Sequence, residues 1–245
     1  MSAVATMLDA AAPRVGVIAL RPYQVEAVER VRAAIRAGKR RILLVLATGG
    51  GKTVVAAHVV SSAVAKSRRV VFVAHRRELI RQTFAKLVRN GLPPDLVGIV
   101  MAGVESRPAD LFAHDVSALR DDELWGALAR RRPTAPVQVA SIDTLRNRQR
   151  PAGDLVIIDE AHRALAKSYR DLTEAYPDAV HLGLTATPYR ADGRGLGELY
   201  EDLVVVASPR LLIEQGFLVA PRVFTGRRRR RERRFAPMIA RYSCS

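Results

Sequence analysis

Cysteine is almost absent from this chain. Cys244 is the only one in 245 residues, so no internal disulfide can form. No second thiol or histidine stands at metal-ligand spacing from another, which argues against zinc. Nor does any apolar stretch approach the roughly 20 residues of a membrane span, so no membrane partner is expected. The alanine-rich start, Met1 to Ala12, has no Lys or Arg ahead of its apolar residues and does not read as a secretory signal. The expectation is a short disordered leader over residues 1–18 and a cytoplasmic location. Acidic residues are also scarce, 24 against 40 Lys and Arg, for a formal net charge of +16. Residues 227–245 hold eight Arg and one Glu, a net +7, which leaves +9 for the rest. A basic body suits a polyanion through counterion release. It equally suits an arginine-rich, GC-rich genome.

Two motifs carry the chemistry. The apolar run Leu43-Leu44-Val45-Leu46 reads as a strand buried on both faces, and it leads into Thr48-Gly49-Gly50-Gly51-Lys52-Thr53. The glycines let backbone N–H groups wrap phosphate oxygens with no Cβ in the way. The following residues, Val54 to Ala65, read as a helix whose positive N-terminal end faces the anion. Lys52 is placed to reach the β- and γ-phosphates of ATP, and Thr53 to offer its hydroxyl to Mg²⁺. The strict phosphate-loop pattern asks for Gly at position 46, where this chain has Leu46. Some hundred residues on, a second apolar run, Leu155-Val156-Ile157-Ile158, ends in Asp159-Glu160-Ala161-His162. Asp159 is placed to hold the metal through its water shell, and Glu160 to act as base for an attacking water.

At these residues the chain resembles the superfamily 2 helicases. Leu46 to Thr53 is similar to their motif I, Asp159 to His162 to motif II, and Leu184-Thr185-Ala186-Thr187-Pro188 to motif III. Leu20-Arg21-Pro22-Tyr23-Gln24 resembles the adenine-reading element, which implies Gln24 as the adenine contact. Val73-Ala74-His75-Arg76-Arg77-Glu78-Leu79 is similar to motif Ia. Ala140-Ser141-Ile142-Asp143-Thr144-Leu145 resembles a later nucleic-acid contact motif. The six motifs stand in family order over residues 20 to 188. The resemblance implies nucleic-acid contacts at His75, Arg76, Arg77, Ser141 and Thr144, and coupling of nucleotide state through Thr185 and Thr187. It also implies that His162 links the nucleotide site to a partner domain. DNA is favoured over RNA, because the Leu-Arg-Pro-Tyr-Gln opening with Ala-Thr-Gly-Gly-Gly-Lys-Thr looks like the restriction and repair members.

The fold expected is α/β: a RecA-like P-loop domain over residues 19–207, with a doubly wound, mostly parallel sheet and helices on both faces. Strands are expected at 41–46, 70–74, 96–101, 136–140, 154–159 and 180–184, and helices at 24–37, 53–66, 77–89 and 208–215. Residues 103–135 read as an insertion with a short helix. Residues 208–226 read as the start of a linker toward a second RecA-like domain, and 227–245 as a disordered arginine-rich tail. In the family that second domain supplies arginine fingers. Two readings of the tail stand: a basic arm on nucleic acid, or the product of a truncated or frame-shifted gene. The expected activity is ATP hydrolysis of the DEAH type. The alternatives are a nucleic-acid-binding domain with little turnover, or half of a split helicase completed by a second domain in trans.

Overall fold

The computed structural model describes residues 19–101, 120–129, 131–147, 150–163, 166–187 and 196–220. The expected leader, most of the insertion, Pro188, residues 221–226 and the arginine-rich tail lie outside the described residues.

The chain alternates helix and strand. It begins with α1 (Pro22–Arg36), β1 (Arg41–Leu46), α2 (Lys52–Ala65), β2 (Val70–Ala74) and α3 (Arg77–Arg89). Next come β3 (Val97–Val100), α4 (Asp121–Leu128), β4 (Val137–Ser141), α5 (Ile142–Asn147) and β5 (Leu155–Ile158). It closes with α6 (Ala166–Ala175), β6 (Val180–Thr185), β7 (Asp202–Ala207) and α7 (Pro209–Glu214). The seven strands form one sheet in the order β3-β4-β2-β5-β6-β1-β7, and every neighbouring pair is parallel.

Burial on both faces explains the composition of the strands. Ile42, Leu44 and Leu46 of β1 face one core with Phe72, Ile157, Leu182 and residues of α1, α2, α3, α4 and α7. Leu43 and Val45 face the opposite core with Val71, Val73, Val156, Ile158 and residues of α5 and α6. The sheet is therefore wound on both sides, as expected. α4 joins the first layer through Trp125, which meets Phe84 of α3 edge-on at 5.7 Å and lies under the Arg81 guanidinium.

All six expected strands form, with ends shifted by no more than a residue. The sheet gains a seventh, β7, which pairs with β1 as an edge strand. Two helices were also not foreseen. α5 follows β4 without a break, so its apolar residues merge with the strand's run. α6 buries Tyr169 and Leu172.

Behind β6 lies a buried polar cluster. His181, 1% exposed, faces the Tyr176 carbonyl through Nε2 at 3.0 Å, so that nitrogen carries the proton. Burial holds the His181 pKa below its usual value. The Tyr169 and Tyr200 rings pack at 4.9 Å, and burial raises both phenols above their ordinary pKa. Tyr200 lies so close under Gly183 that a Cβ there would run into the phenol ring and its hydroxyl. Gly183→Ala should therefore overpack this layer and cost about 1–3 kcal/mol. Urea unfolding followed through Trp125, the one tryptophan of the chain, measures this. An unchanged midpoint would show that Tyr200 does not sit against β6.

Candidate nucleotide and nucleic-acid site

Because every strand is parallel, the candidate residues that follow strands leave the sheet at one edge, and Gln24 reaches it from α1. Thr48 to Lys52 follow β1, Asp159 and Glu160 follow β5, and Thr185 ends β6 between them. On the other side of β5, His75 to Arg77 follow β2, and Ser141 ends β4. Register fixes the neighbours: Val45 lies beside Thr185, Val73 beside Ile158, and Ala74 beside Ser141. Ligands of open α/β sheets bind at this edge. β5 thus divides the candidate nucleotide residues after β1 and β6 from the candidate nucleic-acid residues after β2 and β4.

The phosphate loop has the backbone its glycines imply. Gly49 and Gly51 adopt φ of 81° and 82°, and Gly51 is the residue that precedes the first turn of α2. A Cβ at Gly51 would collide with the Gln24 amide. Lys52 and Thr53 open α2, where free N–H groups and the helix dipole favour an anion. The loop is held from α1: the Tyr23 hydroxyl and Gln24 Nε2 each donate to the Gly50 carbonyl at 3.1 Å. Gln24 Oε1 accepts the Arg21 N–H at 2.9 Å. Gln24 is only 3% exposed, and its amide bonds the protein at both ends, leaving one N–H and one oxygen lone pair. The resemblance had pointed to Gln24 but gave no sign that Tyr23 shares its task.

At the end of β5, Asp159 N–H donates to the Val73 carbonyl at 3.0 Å, and Asp159 Oδ1 accepts the Glu160 N–H at 3.0 Å. Glu160 adopts φ of 50°, in the left-handed region that costs a residue with Cβ roughly 1–2 kcal/mol. No sequence signal marks that turn. His162 joins this turn to β6. Its Nδ1 stands 3.0 Å from Thr185 Oγ1 and 3.3 Å from Glu160 Oε2. The Thr185 hydroxyl donates its one proton to the Thr187 carbonyl at 2.7 Å and accepts the Thr187 N–H at 3.1 Å. Toward His162 it can only accept, so Nδ1 carries the proton. His162, Thr185 and Thr187 thus form one chain of hydrogen bonds, with the Glu160 carboxylate 3.3 Å from its His162 end. Sequence had singled out all four without showing how they touch.

The nucleic-acid candidates are less organised. Arg76 and Arg77 are exposed at the start of α3, and His75 is half-buried. Ser141 is 8% exposed, while Thr144 is half-buried on the first turn of α5. The two groups share a sheet edge on neighbouring strands.

Burial raises the Asp159 pKa, the Glu160 carboxylate adds to that, and Lys52 offsets it in part. A carboxylate held out of water beside another carboxylate calls for a cation. Hard oxygen donors such as Asp159 and the Thr53 hydroxyl suit Mg²⁺. Among the described residues no group of three or more His, Cys, Asp or Glu side chains could by itself hold a metal ion.

Residues 17–190 match the family described as the type III restriction enzyme, res subunit. The chain belongs to that family. Among relatives of this res-subunit domain, the type I restriction enzyme EcoAI endonuclease subunit of Escherichia coli is 30% identical over 208 residues. The alignment covers 83% of this chain and 24% of that protein. The DNA 3'-5' translocase XPB2 of Sulfurisphaera tokodaii is 31% identical over 188 residues, covering 76% of this chain and 34% of its own length. The chain thus spans about a third or less of these relatives. The UvsW helicase of bacteriophage T4 shares the fold, with a TM-score of 0.54 at 16% identity over 77% of this chain and 60% of that one. The res-subunit domain is the first RecA-like domain of a superfamily 2 helicase, and its family chemistry is that of helicase-type nucleoside triphosphatases.

Within that domain, Asp159 carries a cost that sets a testable sign. The folded chain binds more protons than the unfolded one between the ordinary Asp pKa, about 3.9, and the raised folded value. Stability contributed by this group is therefore greatest below that window and falls as pH rises through it. Asp159→Asn keeps the bond to the Glu160 N–H and removes the buried charge. At neutral pH the variant should unfold at higher urea than the parent while losing Mg²⁺-dependent nucleotide binding. A lower urea midpoint would mean that Asp159 is not desolvated.

Proposed function

We propose that this domain binds ATP with Mg²⁺ and hydrolyses it in a DEAH-type cycle tied to DNA. The observation that supports this reading best is the lateral order β5-β6-β1. It places Asp159 and Glu160 two strands from the phosphate loop, about 10 Å at the usual inter-strand spacing. That span suits a triphosphate whose γ end must meet both.

In this reading the loop N–H groups and the start of α2 hold the phosphates, and Lys52 neutralises charge on the β- and γ-oxygens. Asp159 and Thr53 hold the metal, which when bound draws charge from the transferring phosphoryl group. Glu160 accepts the proton of the attacking water. His162, with Nδ1 3.3 Å from Glu160 Oε2 and bonded to Thr185, would steady that carboxylate and make its position depend on Thr185. Phosphoryl transfer is mostly positioning and charge stabilisation, and an arginine finger adds about 10³–10⁵ in rate. Full turnover therefore requires an arginine from a second RecA-like domain, on the same polypeptide or in trans. DNA is favoured as the polymer because XPB2 is named a DNA translocase. Arg76 and Arg77 would meet its phosphates, contacts that position without reading sequence.

Two experiments test the halves separately. Lys52→Ala should abolish ATP binding in equilibrium titration, whereas Glu160→Gln should keep binding and lose hydrolysis. Equal ATP affinity in Lys52→Ala and the parent would sink the nucleotide-site assignment. For the polymer, removing Arg76 or Arg77 should lower the slope of log K against log salt by about one each on duplex DNA. An unchanged slope would remove motif Ia from the interface, and a stronger effect on RNA than on DNA would reverse the choice of polymer.

A further inference from the structure

Residues 215–220 fall in the stretch read from the sequence only as the start of a linker toward another domain, and the proposed hydrolysis makes no use of them. In the structure this segment turns back onto the nucleotide site. The Phe217 and Leu218 N–H groups both donate to the Leu212 carbonyl, at 2.8 and 3.0 Å, closing the end of α7. Leu218 Cδ2 then lies 2.9 Å from the point a Cβ on Gly49 would occupy, and Leu212 Cδ1 lies 3.4 Å from that point on Gly50. The Phe217 ring meets Tyr23 edge-on, with centroids 5.2 Å apart and planes at 61°. The Arg21 guanidinium sits over the same ring, 5.1 Å from its centroid.

These contacts bear on how a nucleobase is held. Phosphates account for one end of a nucleotide, and the residue assigned to the base, Gln24, is buried with its amide already bonded to Arg21 and Gly50. Beside it stand an exposed guanidinium and a half-buried aromatic ring, already in contact with each other and with Tyr23. A planar base stacks on such surfaces whatever its hydrogen-bonding edge.

We propose that Phe217 is the base-holding residue of this site. With Arg21 it forms a stacking platform beside the phosphate loop, while Leu218 braces Gly49 from the same turn. The inference rests on the reading of this site as an ATP site and adds a residue that lies outside all six motifs and outside the matched span 17–190. Because every base has a π face, the platform distinguishes a nucleotide from bare polyphosphate, not adenine from guanine.

The test compares Mg²⁺-ATP with Mg²⁺-tripolyphosphate as ligands of the full chain. Phe217→Leu keeps apolar packing and removes the π face. It should weaken ATP roughly tenfold or more, the size of one base–aromatic stack, and leave tripolyphosphate binding unchanged. Phe217→Trp should restore ATP binding. Equal weakening of both ligands in Phe217→Leu would overturn the proposal in favour of a purely loop-bracing role, and no change in either would overturn it outright. Lys52→Ala run alongside keeps the two readings apart. Unchanged binding of both ligands in that variant would discard the ATP site itself, whereas loss of both there, with a flat response at Phe217, would discard only the platform.

Discussion

Parallel pairing of β5, β6 and β1 is the constraint on which the rest of this structure depends. A parallel sheet sends every carboxyl end to one edge, and the order of the strands then decides which chemistries become neighbours. Here β6 lies between the strand that ends in the phosphate loop and the strand that ends in Asp159 and Glu160. Its last residue, Thr185, is therefore the natural bridge between them. A register slip of one residue in β6 would turn the Thr185 side chain to the opposite face and break its contact with His162. Burial of alternate residues in two separate apolar cores guards against that slip.

The phosphate loop is stiffened by groups from far along the chain. Tyr23 and Gln24 hold the Gly50 carbonyl from α1, while Leu212 and Leu218 crowd Gly50 and Gly49 from the end of α7. A loop that needs left-handed glycines is entropically costly to order. Contacts supplied by α1 and α7 offset that cost before any anion arrives. They also make the loop's shape sensitive to whether Gln24 stays on Gly50, since a base that draws the amide away leaves Tyr23 as the remaining tether from α1.

Much of this was legible in the sequence, for physical reasons that differ by element. β2 and β5, and β1 after Arg41, are unbroken apolar runs because both of their faces are buried, and such runs cannot be mistaken for amphipathic helix. That the candidate residues share one end of the sheet was legible because Gly, Lys, Asp and Glu at strand ends have few structural uses together. β7 went unread although Leu203-Val204-Val205-Val206 is as apolar as β2, and as an edge strand it leaves Leu203 and Val205 exposed. The left-handed turn at Glu160 and the role of residues 217–218 were illegible for another reason. Both arise from contacts made across more than twenty or more than one hundred and fifty residues of chain, His162 to Thr185 in one case and Phe217 to Tyr23 in the other. No local pattern encodes them.

The division of the sheet edge at β5 also shows how the two halves can communicate. Asp159 bonds through its backbone to Val73, two residues before His75 and three before Arg76. Motion of Asp159 toward or away from a metal is thus felt by the strand that delivers the motif Ia arginines, one inter-strand spacing away. On the other side the same turn reaches β6 through His162 and Thr185. Asp159 is also the desolvated carboxylate whose charge the fold resists. A group that is costly to ionise without a cation, bonded to β2 through its backbone and set in the turn that reaches β6 through His162, has the properties a nucleotide sensor needs. Arrival of a cation relieves the cost, and the relief acts at the one point of the edge that touches both halves.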